Sequence, residues 1–554
     1  MQALSKTLIC RIAPLALMVS LPMALAAQAP VDLVPPGDFD GDGFSDLVIG
    51  VFNESVLAGE EMHGAGAVHV LEGREFGLTN QLDQLWHKGV EGFRGQVNKD
   101  DRFGTALAVG DFNGDGYADL AIGVPFEEIN DVPNAGAINV VYGTPGGLEV
   151  DDLEDDELDD QRFHQNVAGI SDDPEEDDFF GAALASGDLN ADGYTDLVIG
   201  VPGESVPLGA IGGAIHIIYG SETGLNNATE QFFHQDVDNM AETAEDGDLF
   251  GYSLATGDFN ADGFGDVAVG VPNETFIDEH GVTVVEGGVV NVIYGTWDGP
   301  TSEFNQLWHQ GVRDAEAYNL IEGEPESGDN FGFSLTSADY NGDGFTDLAI
   351  GVPHEGLDGD GTMEIFRAGA VNVIYGFHDG LIIWRNRMWH QDVKNVKEIA
   401  EREDLFGYSL TSGDFDGDGY DDLAVGVPHE NVGRIKGAGA VNVIYGTRDC
   451  LRTAGNQVWH QNIPRIKETA GPWEMFGFSV TTGDFNGDGY DDLVAGVPGE
   501  TVGSDRFQAG AVNVIYGRAA GLRTNGDQVW HQGSAGIIGG PENHDNFGYS
   551  VVSH

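Results

Sequence analysis

Seven times the chain sets carboxylates at alternate positions of a nine-residue loop, Asp-x-(Asp/Asn)-x-Asp-Gly-aromatic-x-Asp. The first copy offers Asp38, Asp40, Asp42, Phe44 and Asp46, and the second Asp111, Asn113, Asp115, Tyr117 and Asp119. The third offers Asp188, Asn190, Asp192, Tyr194 and Asp196, and the fourth Asp258, Asn260, Asp262, Phe264 and Asp266. Asp339, Asn341, Asp343, Phe345 and Asp347 form the fifth. Asp414, Asp416, Asp418, Tyr420 and Asp422 form the sixth, and Asp484, Asn486, Asp488, Tyr490 and Asp492 the seventh. Positions 1, 3 and 5 can converge on one point, position 7 can add its backbone carbonyl, and position 9 can close the shell. Carboxylates packed this closely repel one another unless a cation sits among them. An all-oxygen donor set suits a hard cation, and calcium tolerates its crowding better than magnesium does. Up to seven Ca²⁺ ions are therefore expected, one per loop. The Gly at position 6 permits the positive φ of a sharp turn.

An EF-hand is a poor account of these loops. That motif needs a Glu at position 12 and flanking helices. Position 12 is Ile49, Ile122, Ile199, Val269, Ile350, Val425 and Ala495, all apolar. The flanking segments read as strands, such as Leu348–Pro353 after the fifth loop.

The first Asp recurs every 70–81 residues, and each period holds four short apolar segments. Phe-Gly-x-Ser/Ala-Leu comes first, as in Phe331–Leu335, and the acidic loop follows. Then come a Gly-Val-Pro segment such as Asp422–Pro428, a Gly-Ala-Val-Asn-Val-Ile-Tyr-Gly segment such as Gly369–Gly376, and Trp-His-Gln, as at Trp389–Gln391. β-Branched runs bounded by Gly, Pro and Asp are strands. Four per period without helical periodicity predict an all-β fold, a β-propeller of four-stranded antiparallel blades.

The Phe-Gly start, the acidic loop and the later Gly-x-Pro resemble the FG-GAP repeats of the integrin α-subunit headpiece. Such repeats also occur in bacterial exported proteins and in a phospholipase that cleaves glycolipid anchors. The likeness runs from about residue 35 to 554, with Gly50-Val51-Phe52 departing from Gly-x-Pro in the first repeat. It implies that positions 1, 3, 5, 7 and 9 bind calcium. Integrin leg domains are not expected within residues 35–554, which the repeats occupy.

The ends predict how the ring closes. The first loop has no Phe-Gly strand before it, and Phe547–His554 is a Phe-Gly strand with no loop after it. The two fragments add up to one blade, so seven blades are expected, closed by the C-terminal strand completing the first. Closure would remove exposed sheet edges. A truncated gene is the alternative.

Residues 1–26 read as a secretory signal: Lys6 and Arg11, an apolar run to Ala26, and a small-x-small site at Ala24-Leu25-Ala26. Residues 27–554 are then one exported propeller, extracellular or periplasmic, with no transmembrane segment. Its lone mature cysteine, Cys450, cannot pair within the chain. Metal ions can do the stapling instead. The formal charge of −69 makes nucleic acid an improbable partner.

Other chemistry finds little support. His87, His164, His234, His309, His390, His460 and His531 occupy one repeat position each, as structural residues would. Neither a zinc-protease helix nor a Gly-x-Ser-x-Gly elbow occurs, and no catalytic centre is expected. Asn53, Asn227 and Asn273 head glycosylation sequons, relevant only in a eukaryotic host.

In a four-stranded meander the first and third connections share one face, and the second and the blade-to-blade connections share the other. The acidic loops therefore line one face. The other carries the most variable segments, including Asn53–Ala65, Asn273–Gly287, His354–Ala368 and Gly499–Ala509. Variable loops on a rigid scaffold commonly recognise partners. The expected function is a recognition or adhesion module that binds a protein or glycan there. An enzyme acting on glycans or phosphodiesters is the alternative, and a structural surface component a second.

Overall fold

The computed structural model describes residues 35–150, 160–207, 209–278, 280–313, 320–358 and 364–553. The expected signal, residues 1–26, lies outside them, as does most of the acidic stretch 151–160. The described residues contain no helix. Beside three two-stranded ribbons they form seven larger antiparallel sheets, six of them meanders whose neighbours in sequence are neighbours in space. The third blade is typical: Ala183–Gly187 innermost, then Asp196–Val201, Ala214–Tyr219 and Asn226–Phe233.

The first blade is assembled from both ends of the chain. Phe547–Val552 is its innermost strand and pairs with Leu47–Val51, setting Val48 opposite Val552 and Ile49 opposite Val551. Ala67–Glu72 and Thr79–Trp86 complete the sheet. The seven innermost strands contact one another in an unbroken cycle that passes through Phe547–Val552.

The repeat's glycines mark where neighbouring blades touch backbone to backbone. A Cβ on Gly351, of the Gly-Val-Pro segment, would collide with the carbonyl of Gly407, from the next blade's Phe-Gly. Ser334 Oγ donates to that same carbonyl at 2.7 Å. Equivalent bonds run from Ser253 to Gly332, Ser409 to Gly477, Ser479 to Gly548 and Ser550 to Gly104. The last two join the C-terminal strand to the seventh and second blades.

Apolar packing lies between blades. The second and third strands are buried on both sides, and the Phe of every Phe-Gly (Phe103 through Phe547) is fully buried. One cluster interleaves Val48, Val68 and Trp86 of the first blade with Leu120, Ile122 and Val124 of the second. Position 2 of each acidic loop, an unspecified residue in the motif, is a buried knob: Phe39, Phe112, Leu189, Phe259, Tyr340, Phe415 and Phe485. Each loop is thus anchored in the core that its strands enclose.

Candidate metal centres and the opposite face

Within each loop the backbone aims the first carboxylate. Asp38 accepts from the N–H groups of Gly41, Asp42 and Gly43 at 2.7–3.1 Å. The bond from the position-6 glycine N–H recurs in all seven loops. Gly43 has φ +91°, and a Cβ there would meet nothing within 4 Å, so glycine serves conformation rather than clearance. Position 5 is held by the position-7 N–H, as Tyr117 donates to Asp115 at 2.9 Å.

The carboxylates converge most closely in two loops. Asp38, Asp40 and Asp42 bring ligand oxygens within 4.8 Å of one another, and so do Asp414, Asp416 and Asp422. In four of the five loops with Asn at position 3, the amide donates to a carboxylate of the same loop. Asn113 donates to Asp115 at 2.9 Å, and Asn486 to Asp492 at 2.9 Å. The donor chemistry of the converging loops, three carboxylates and no apolar obstruction, fits a hard divalent cation.

Position 9 has a second task that its spacing did not reveal. Its carboxylate is buried in every loop and accepts an N–H from the glycine ending the third strand, from Gly73 to Gly517, at 2.8–2.9 Å. Asp46 also takes the Phe39 N–H. This residue clamps the loop to the sheet. Burial pushes Asp266 and Asp347 up to about 8 and Asp422 to about 9, so a nearby cation would favour their ionised form.

Two features of this face were hidden in the sequence. Arg74 reaches from the third connection of the first blade to Asp40, Asp42 and Glu72, and Arg518 reaches Asp488 at 2.8 Å. The position-7 rings also lean on the preceding loop. Tyr117 lies where a Cβ on Gly41 would be, Tyr490 stands likewise over Gly417, and Phe44 over Gly487. The loops brace one another around the face.

The histidines of the fourth strand act as the repeat suggested. Nδ1 of His87, His164, His234, His460 and His531 accepts the N–H two residues on, at 3.0–3.2 Å. Burial lowers the pKa of all seven, that of His164 to about 4. Protonation therefore favours the unfolded chain: this stability is complete above about pH 6.5 and is lost as pH falls towards 4. Replacing His164 and His460 by Asn, which keeps an acceptor but cannot titrate, will shrink the drop in Tm between about pH 7.5 and 5 at fixed calcium. An undiminished drop would contradict this role.

On the other face the second and blade-to-blade connections meet, as the meander requires. Trp473 N–H donates to Lys436 O, and His544 N–H to Phe507 O. Some of the expected loops are two-stranded ribbons, Val56–Ala58 with Glu60–Met62 and Phe276–Ile277 with Thr283–Val284. Each exposes an apolar side chain near its turn, Leu57 at 80% and Ile277 at 71%. Closer to the axis, rings follow five of the seven Phe-Gly pairs and form a partial collar. Tyr252, Phe333, Tyr408, Phe478 and Tyr549 succeed one another at 5.1–5.3 Å, and Tyr549 stacks on Phe52 at 4.1 Å. The Arg102 guanidinium lies over Phe52 and Phe126. The sequon amides of Asn53, Asn227 and Asn273 each donate a hydrogen bond to a neighbouring segment. Cys450 is half-buried, and burial pushes its thiol up, away from reactivity.

A family model described as the FG-GAP repeat matches residues 33–71, 103–141, 180–218, 250–290, 331–362, 406–444 and 476–515. The chain is an FG-GAP repeat protein. Its seven matches fall on the seven blades, each covering an acidic loop and the strands that hold it. The FG-GAP protein is similar to integrin alpha-PS2 of Drosophila melanogaster, 30% identical over 254 residues, which is 45% of this chain and 15% of that protein. It is also similar to integrin alpha-5 of Xenopus laevis, 30% identical over 256 residues, or 45% of this chain and 20% of that one. Phosphatidylinositol-glycan-specific phospholipase D of Bos taurus is 34% identical over 173 residues, 31% of this chain and 18% of that enzyme. The FG-GAP protein thus spans a fifth or less of the length of these relatives. No helix among its described residues is long and apolar enough to cross a membrane.

Proposed function

We propose that the chain is an extracellular, calcium-stabilised propeller that works by binding a protein or glycan on the face opposite its acidic loops. Calcium would be held by side-chain oxygens of the acidic loops, with Asp38, Asp40 and Asp42 (positions 1, 3 and 5) and Asp414, Asp416 and Asp422 (positions 1, 3 and 9) the best-formed sets. There it would supply positive charge that Arg74 and Arg518 provide only in part, and only to the first and seventh loops, tying each loop to its blade.

The aromatic collar carries the binding half of this reading. Six rings with partly exposed faces succeed one another on this side, and its ribbons expose Leu57 and Ile277. Such faces suit a cation, a sugar ring or an apolar anchor. The seven-fold repetition of His and Asn favours binding over turnover, since a repeated residue has no unique place for chemistry. Likeness to the phospholipase D supports the rival reading, cleavage of a glycan or phosphodiester.

Cell-binding and glycan-array assays, run beside activity screens on acidic polysaccharides and phosphodiesters, separate the two. Binding that falls at least tenfold in a Tyr408→Ala, Phe478→Ala variant is the expected result. Turnover without binding would replace this proposal with the enzyme.

A further inference from the structure

The face opposite the acidic loops holds a second set of buried carboxylates, one group at each blade junction. Its parts come from three repeat positions: the residue after the Trp-His pair or its equivalent, the acid two before Phe-Gly, and the Glu two after Gly-Val-Pro. At the junction of the first and second blades these are Lys88, Asp101 and Glu127. The Lys88 ammonium is buried, 2.5 Å from Asp101 and 2.9 Å from Glu127. This junction carries its own cation.

The corresponding residue in the other repeats is Gln, which has no charge. At the junction of the second and third blades, Gln165 Nε2 donates to Glu204 Oε2, and the Glu175 N–H donates to Asp178 Oδ2 at 2.5 Å. Each carboxylate is thereby fixed through one oxygen. The other oxygens, Asp178 Oδ1 and Glu204 Oε1, are buried and have no hydrogen-bond partner, although both side chains are 0% exposed. Glu175 adds a third carboxylate, and the three bring ligand oxygens within 4.8 Å of one another. The junction of the fifth and sixth blades repeats the arrangement. Gln391 donates to Glu430 at 2.6 Å and the Glu401 N–H to Asp404 at 2.5 Å, while Asp404 Oδ1 has no partner. Glu401, Asp404 and Glu430 again bring ligand oxygens within 4.8 Å of one another.

Buried carboxylates this close need either protons or a cation to offset their repulsion, and only a cation leaves all of them free to act as ligands. The lysine junction shows where it goes, and its composition shows a trade. Where Lys88 supplies the ammonium, Asn98 stands at the position of Glu175, so the third carboxylate is missing. We propose that Glu175, Asp178 and Glu204, and likewise Glu401, Asp404 and Glu430, are divalent-cation sites on the partner-facing side of the propeller, distinct from the acidic loops. The siting of a partner on that side rests on the function proposed above; the cation sites themselves do not. The oxygen-only donor set selects a hard ion of the calcium class. One carboxylate of each trio, Glu175 or Glu401, is exposed, so the ion would lie close to the surface that meets a partner.

A crystal of the full chain soaked in Mn²⁺ alone tests this by locating ions individually through anomalous scattering. Peaks beside Asp178 with Glu204 and beside Asp404 with Glu430, and none beside Lys88, are expected. Peaks in the acidic loops without any at these junctions would overturn the inference and leave the loop reading intact. Peaks at the junctions without any in the loops would do the reverse. In solution, transplanting the lysine arrangement (Gln165→Lys with Glu175→Asn) will lower the bound Ca²⁺ count by one per chain. An unchanged count would also overturn it.

Discussion

Stripping calcium with a chelator will lower the Tm by more than about 10 °C, and restoring the ion will recover it. The loss follows from linkage between ion binding and folding. An ion bound only by the folded chain at a hundred times its Kd contributes about 2.7 kcal/mol per site, and the chain repeats the loop seven times. Without it, Asp38, Asp40 and Asp42 face one another with Arg74 as their only ion-pair partner among the described residues. Asp414, Asp416 and Asp422 form no ion pair there at all. Sodium chloride will not substitute, because screening acts weakly on charges closer together than the Debye length. The isosteric Asp418→Asn change in the sixth loop should cost one ion and only a small part of the total shift. A melt that ignores chelator would refute the structural role of calcium.

Removing residues 547–554 will cost still more. The deletion leaves Leu47–Val51 as an open edge where it now pairs with Phe547–Val552. It empties the fully buried site of Phe547, and for a phenylalanine that loss alone is about 3–5 kcal/mol when truncated to Ala. It also removes the Ser550 bond to Gly104 and the Gly548 carbonyl that Ser479 uses, so two blade junctions lose their ties together. We expect aggregation, or a Tm lower by more than about 15 °C, while Phe547→Ala alone gives an intermediate loss. Size-exclusion chromatography and thermal melts read both outcomes. A truncated chain that melts like the full one would mean the ring does not depend on this strand.

The sequence made the repeated scaffold legible because repetition multiplies weak signals. Seven loops counted the blades, and the unmatched Phe-Gly strand at Phe547 indicated the partner it would complete. The same repetition hid whatever lies between repeats. The position-9 clamp needs a third-strand glycine some 24–29 residues away, as in Asp196 with Gly220 and Asp266 with Gly295. The Gln165–Glu204 contact joins residues 39 apart in different blades. Such pairs have no local periodicity, and only an aligned stack of the repeats would have drawn the eye to Lys88 standing where the others have Gln. Arg74 and the collar rings were harder still, since each depends on how neighbouring blades are turned.

The two-ended first blade has a consequence for how the molecule comes into being. Val48 must wait for Val552, so a strand made early finds its neighbour only after about 500 further residues have been synthesised. Six blades can form from local hairpins, but the joining of the ring spans almost the entire chain and is its slowest contact to find. Until then the nascent protein displays an unsatisfied sheet edge, which invites pairing with other chains. The strand Phe547–Val552 therefore decides whether the earlier blades close into a ring or aggregate, and a chaperone that covers Leu47–Val51 would be guarding the seam.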